Sequence, residues 1–289
     1  MSVHLSPENQ KAFLTAIASF RAVNGSYDLE HLRAIGYKKE FSNSEWQECV
    51  KLYNTKLVKE KERNAIQRAK HQEIAHHLQP RIEQAKAIIQ HIPEIVDVFL
   101  VNSFTFGALK PSSDIDLLVV AKPQTLWWTR VKLTAALEKA GIRRKPGHIE
   151  EQICLSFFIT TDHLNMEPIA YEDDIHFAYW AILAQSLFGR LQNAWWQKNA
   201  WLHSLFPNWK VNDDCSNIQI ESASLGTQVA NALVKVPLKI RHSLNKKKLG
   251  PESSILITDD IFKFHNIDRR KYYQEKTWQE VQILEDMCK

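Results

Sequence analysis

No stretch of this chain carries the uninterrupted apolar run of about eighteen residues that a membrane-spanning helix needs. The opening MSVHLSPENQ also lacks the basic, apolar and small-residue order of a secretory leader. Cysteine is sparse. Cys49, Cys154, Cys215 and Cys288 stand far apart, with no CxxC pair and no Cys/His spacing of a zinc site, so reduced thiols are expected rather than a disulfide or zinc scaffold. Internal repeats and low-complexity tracts are missing too, which argues against a solenoid or a disordered linker protein. These absences predict a cytoplasmic protein with no membrane contact.

What remains is ordinary globular material. The chain has 289 residues, 44% hydrophobic and 24% charged, enough for one large domain or a few small ones with a true core. A formal net charge of +4 suits a phosphate-rich partner without requiring one.

Residues 1–58 read as three short helices. Ser6 and Pro7 open the first, which carries Phe13, Ile17 and Phe20 at helical spacing; Asp28 caps the second, and SNSEWQECVKLYNTKLV forms the third. Such a trio suits a winged-helix-like module, which either reads DNA or packs as a structural cap. Residues 59–92 read as a charged helical connector in which Pro80 is expected to kink or break the helix.

Between 93 and 175 the pattern changes. EIVDVFLVNS and DIDLLVVA are β-branched strands flanking the loop FTFGALKPSS; TLWWTRVKLTAALEKAG is a helix stopped by Gly141, and EQICLSFFIT is a third strand. That order predicts an α+β fold with a small mixed sheet covered by helices. Residues 176–289 read as a helical C-terminal region. It includes the tryptophan-rich NAWWQKNAWLHSLFPNW, taken as packing anchors, a helix that grows basic toward KKK, and a short extended piece before a closing helix.

Two carboxylates, Asp114 and Asp116, stand at the head of an apolar strand. Side chains at i and i+2 share a face, so they lie side by side and repel unless a cation sits between them. Mg²⁺ or Mn²⁺ suits such a pair, because it combines a few carboxylates with water and substrate phosphates. Upstream, the turn from Asn102 and Ser103 to Gly107, with Ser113 just before the acids, provides hydroxyls and backbone N–H groups for phosphate oxygens. A plainer reading stands beside this one: aspartate at a strand start is a common turn residue.

At Val101, Asn102, Ser103, Gly107, Asp114, Ile115 and Asp116 the chain resembles the nucleotidyltransferase superfamily, which includes DNA polymerase beta and the antitoxin-type and antibiotic nucleotidyltransferases. The resemblance implies a nucleotidyltransferase core in which Ser103 contacts a nucleoside triphosphate such as ATP and Asp114 and Asp116 bind the divalent ions. It also implies transfer of a nucleotide monophosphate to a hydroxyl on a nucleic acid, a protein or a small molecule. The family's glycine before the serine is Asn102 here. Its third carboxylate has no counterpart on EQICLSFFIT, where the same-face set reads Gln152, Cys154, Ser156 and Phe158, leaving Glu150 or Glu151 at the strand's entrance. Two expectations therefore stay open: an Mg²⁺-dependent transferase, or an incomplete fold that binds nucleotide or nucleic acid without chemistry.

Overall fold

The computed structural model describes residues 5–210, 220–249 and 253–289. Cys215, the first four residues of the leader reading and the Lys246–Lys248 side chains lie outside the described residues.

Four helices come first: α1 (Pro7–Ala22), α2 (Leu29–Ala34), α3 (Asn43–Thr55) and α4 (Val58–Ile89). Their starts follow from local chemistry. The Ser6 side chain accepts a hydrogen bond from the Asn9 amide with Pro7 at the first helical position, and Asp28 accepts from the amides of Glu30 and His31. Ser42 and Glu45 form a reciprocal capping box at α3; these hydrogen bonds from Ser42 pull the Glu45 carboxyl down to about 2. The structure shows no strand among described residues 5–92, hence no β-wing beside the three helices. α4 runs through Pro80 as one helix, so of the expected kink or break the break does not occur.

The sheet is built from β1 (Ile95–Leu100), β2 (Ile115–Ala121), β3 (Ile153–Thr160), β4 (Gln185–Ser186), β5 (Leu256–Ile257) and β6 (Ile261–Lys263), in the order β4-β1-β2-β3-β6-β5. β2 and β3 are parallel, joined through α5 (Leu126–Lys139); every other neighbouring pair is antiparallel. The remaining helices are α6 (Ile175–Leu183), α7 (Gln192–Lys198), α8 (Leu202–Leu205), α9 (Leu225–Leu249) and α10 (Arg270–Cys288). The protein is a mixed α+β fold. The C-terminal region is not purely helical, because it contributes three of the six strands among the described residues. Its β6 is only three residues long, too short to show alternation, and is held by Phe262, fully buried with its ring 4.6 Å from Trp127.

The sheet is buried on both faces. Val98, Leu100, Leu117, Val119 and Phe158 share one cluster with Ile82 and Ile89 of α4 and Leu133 and Leu137 of α5. Phe99, Leu118, Val120, Phe157 and Ile159 share the other with α1, α6 and α10. Each such side chain contributes about 1.5–3 kcal/mol by leaving water. The tryptophans of the 192–209 stretch act as anchors: Trp195 is fully buried and donates from Nε1 to the Ala181 carbonyl at 2.7 Å. No helix among the described residues is long and apolar enough to cross a membrane.

On β2, Asp116 is the one residue not fully buried. It and Asp114 share the face of Leu118 and Val120, and both open onto a cleft lined in part by residues of α6 and α10.

Candidate functional site

The turn after β1 is shaped by two left-handed residues. Asn102 has φ +57° and Gly107 φ +64°. Asparagine tolerates that region, and here Trp180 Nε1 donates to Asn102 Oδ1 at 2.9 Å, tying the turn to α6. The Ser103 carbonyl accepts from the Ala108 amide at 2.8 Å, which closes the turn.

Gly107 does not line the cleft. It faces a small cavity on the other side of the turn, beside Ser26, where its lack of a side chain has a conformational role. A Cβ there would lie 2.4 Å from Ser26 Oγ and 2.5 Å from the Ser26 carbonyl oxygen. Gly107→Ala should therefore destabilise the protein by about 1–3 kcal/mol, read from urea unfolding.

Asn102, Ser103, Ser113, Asp114 and Asp116 all line one cleft of about 780 Å³. Ser113 Oγ accepts from the Lys110 amide at 2.9 Å and the Ser113 amide donates to the Lys110 carbonyl at 2.9 Å, pinning the loop ahead of the acids. Asp116 stands opposite Cys154 on β3. The carboxylate oxygens of Asp114 and Asp116 and the Cys154 sulfur lie within 4.8 Å of one another. Arg144 reaches into this group: its Nη1 donates to Asp114 Oδ2 at 2.7 Å and to Cys154 Sγ at 3.3 Å. Ser156 Oγ donates to Asp116 Oδ1 at 3.4 Å.

The electrostatics match a crowded acid pair. Burial, then the neighbouring Asp116 charge, push the Asp114 carboxyl above its ordinary pKa despite Arg144. Burial and both acids push the Cys154 thiol well up. Arg144 loses solvation, which pulls its pKa down, but its bonds to Cys154 and Asp114 outweigh that and the net direction is up. The donor set fits a cation, for a guanidinium nitrogen already sits within bonding distance of two of its three members.

No carboxylate joins the group from the entrance of β3. Glu150 is exposed, and Glu151, at φ +60°, accepts from His77 Nε2 at 2.7 Å. Strict alternation along β3 also fails. Asp116 pairs with Cys154 but Leu118 pairs with Phe157, so one extra residue bulges out of β3. Cys154 and Ser156 keep the Asp116 face, Phe157 joins them, and Phe158 turns to the opposite core.

The far wall comes from the chain between β6 and α10. Lys263, His265, Asp268, Arg269, Arg270 and Tyr273 line it. Asp268 accepts from Lys263 Nζ at 3.0 Å and Arg270 Nη2 at 2.7 Å, and these bonds overcome its burial to hold its carboxyl far below the usual range. His176 is stacked between Phe106 and Tyr273, with centroids at 5.3 and 4.6 Å; burial lowers its pKa to about 4, leaving it neutral at pH 7.

Other basic residues near the site are occupied elsewhere. Arg130 lies over the Phe264 ring at 3.9 Å, Lys132 pairs with Glu94 at 2.6 Å, and Arg143 and Lys145 both pair with Glu138. Of the run Arg143, Arg144 and Lys145, only Arg144 enters the cleft. Sequence reasoning placed Cys154 and Ser156 on the right face but gave them no role; it read Arg144, with Arg143 and Lys145, only as a basic run that either touches a polyanionic substrate or is a solvated face, and it gave the FKFHNIDRR wall no role. The clustering of charge in IDRR was the available signal for that wall.

Comparison of the chain with family models, with curated proteins and with solved structures gives no match.

Proposed function

We propose that the protein transfers a nucleotide monophosphate from a nucleoside triphosphate to a hydroxyl acceptor, dependent on Mg²⁺ or Mn²⁺, on a nucleotidyltransferase-type core. The observation that carries this reading is that Ser103 and the Asp114–Asp116 pair open onto the same cleft. Ser103 would hold phosphate through its hydroxyl and the turn's amides. Asp114 and Asp116 would hold the divalent ion, which when bound neutralises phosphate charge and lowers the barrier to in-line attack. The first turn of α10 brings Arg269, Arg270 and the positive end of a helix to the same space, a setting that favours anions.

In the transfer, the acceptor oxygen bonds to the α-phosphorus as the bond to the pyrophosphate oxygen breaks. The acceptor proton goes to a neutral base. His265 is the candidate: it lines the cleft, and burial followed by Lys263 lowers its pKa, whereas His176 is enclosed by two rings.

One observation favours the second reading, nucleotide binding without chemistry: the β3 position opposite Asp116 holds a thiol instead of an acid. Incubating the protein with the four labelled triphosphates, Mg²⁺ and candidate acceptors separates the two. Transfer predicts labelled acceptor and pyrophosphate by mass spectrometry. Binding without pyrophosphate would leave only the second reading, and no binding at all would remove both.

A further inference from the structure

We propose that Cys154 is the third ligand of the ion held by Asp114 and Asp116, making a mixed oxygen–sulfur site that takes a thiophilic divalent ion such as Zn²⁺ or Co²⁺ more tightly than Mg²⁺. This rests on the proposed function only for the carboxylate pair. Two features of the structure and the chemistry of the donors support it.

Convergence comes first. The three donor atoms lie within 4.8 Å of one another, and Arg144 Nη1 sits 2.7 Å from Asp114 Oδ2 and 3.3 Å from Cys154 Sγ. A single positive group thus bonds oxygen and sulfur at once, as a metal would.

Rigidity follows from the strands. Asp116 and Cys154 are directly paired, and the Ile115 amide donates to the Gln152 carbonyl at 2.9 Å, so the backbones that carry oxygen and sulfur cannot drift apart. Cys154 is only 8% exposed, yet its sulfur is turned toward charged partners instead of the apolar core.

Donor chemistry decides the ion. Mg²⁺ takes oxygen ligands in octahedral geometry and keeps several waters, so it has no use for the sulfur. Thiolate selects Zn²⁺ and its neighbours over Mg²⁺. On binding, the metal–sulfur bond forms as the thiol proton leaves to solvent, and the Arg144 guanidinium is released from Asp114 and Cys154. It is then free within the cleft that Ser103 also lines, where it would meet a bound triphosphate.

Co²⁺ titration of the full chain tests this by absorption, without reference to turnover. The wild type should develop a thiolate-to-cobalt charge-transfer band that Zn²⁺ abolishes. Cys154→Ser should lose the band and weaken Zn²⁺ at least about tenfold, while Cys215→Ser and Cys288→Ser keep both. Co²⁺ binding without the band, or a band unchanged in Cys154→Ser, would overturn the sulfur ligand. Should Cys154→Ser fail to fold, X-ray absorption of the zinc-loaded wild type decides: a sulfur neighbour at about 2.3 Å supports the site, and oxygen and nitrogen neighbours alone refute it. Mg²⁺-dependent triphosphate binding alongside an all-oxygen metal shell would sink this inference and spare the proposed function. Failure of any divalent ion to bind the wild type would sink both.

Discussion

Asp116→Asn is expected to transfer nucleotide about a thousandfold more slowly than the wild type, the loss of several kcal/mol of charge stabilisation, while melting no lower. The two halves of that result have one cause. Asp116 stands beside Asp114 in a partly buried site, and its charge helps push the Asp114 carboxyl above its ordinary pKa. An amide of the same shape removes the repulsion and still accepts from Ser156 Oγ, so folding loses nothing. On the proposed function, the divalent ion loses a ligand. Initial rates with a labelled triphosphate, paired with a melting curve, check both. A rate within about tenfold of wild type, a deficit of only 1.4 kcal/mol, would remove Asp116 from the catalytic site.

Arg270→Ala should have the larger effect on stability, about 3–5 kcal/mol, because it strands a buried carboxylate. The Arg270 side chain is only 13% exposed and the Asp174 side chain is fully buried. Arg270 donates to the Asp174 carboxylate at 3.1 Å and the Ile169 carbonyl at 2.7 Å, grips Asp268 at 2.7 Å, and lies over the Tyr171 ring at 4.0 Å. It therefore joins α10 to α6 and fixes the far wall of the cleft. Arg270→Lys keeps the charge but loses the fork, and should recover only part of the stability.

The pH dependence of this contact has a definite sign. Asp268 has its folded pKa depressed, so its stabilisation is complete above the ordinary carboxylate pKa and fades as pH falls through the folded value. Asp174 moves the other way, because burial outweighs Arg270 and raises its pKa. Urea unfolding at pH 7 and in the acid range should show the Arg270→Ala deficit shrinking as the carboxylates protonate. An equal deficit at both would contradict the charged account of the contact.

The sequence signals that succeeded were local ones. Ser6 with Pro7, Asp28, and Ser42 with Glu45 each act within one helical turn, so capping could be read from neighbours. The i, i+2 spacing of Asp114 and Asp116 likewise placed both acids on the cleft, and Asn102 took the left-handed turn that its side chain permits. What escaped depends on residues far apart in the chain. The bulge between Cys154 and Phe157 shows only in the register with β2, and alternation on β3 alone put Phe158 on the wrong face. Gly107 looked like part of the phosphate turn until Ser26, some eighty positions earlier, proved to be what its missing side chain accommodates. Arg144 belongs to a basic run whose three members look alike; Glu138 claims Arg143 and Lys145, and Asp114 claims Arg144. The wall of Lys263, His265 and Arg270 reaches the cleft because β6 pairs with β3, a contact no short window contains.

Electron paramagnetic resonance of Mn²⁺, titrated into the protein with a non-hydrolysable triphosphate analogue, bears most directly on the proposed shared site of metal and phosphate. The wild type should bind Mn²⁺, more tightly once the analogue is present, and Asp114→Asn with Asp116→Asn should leave the ion free in solution. A double variant that holds Mn²⁺ and the analogue as tightly as the wild type would contradict the account.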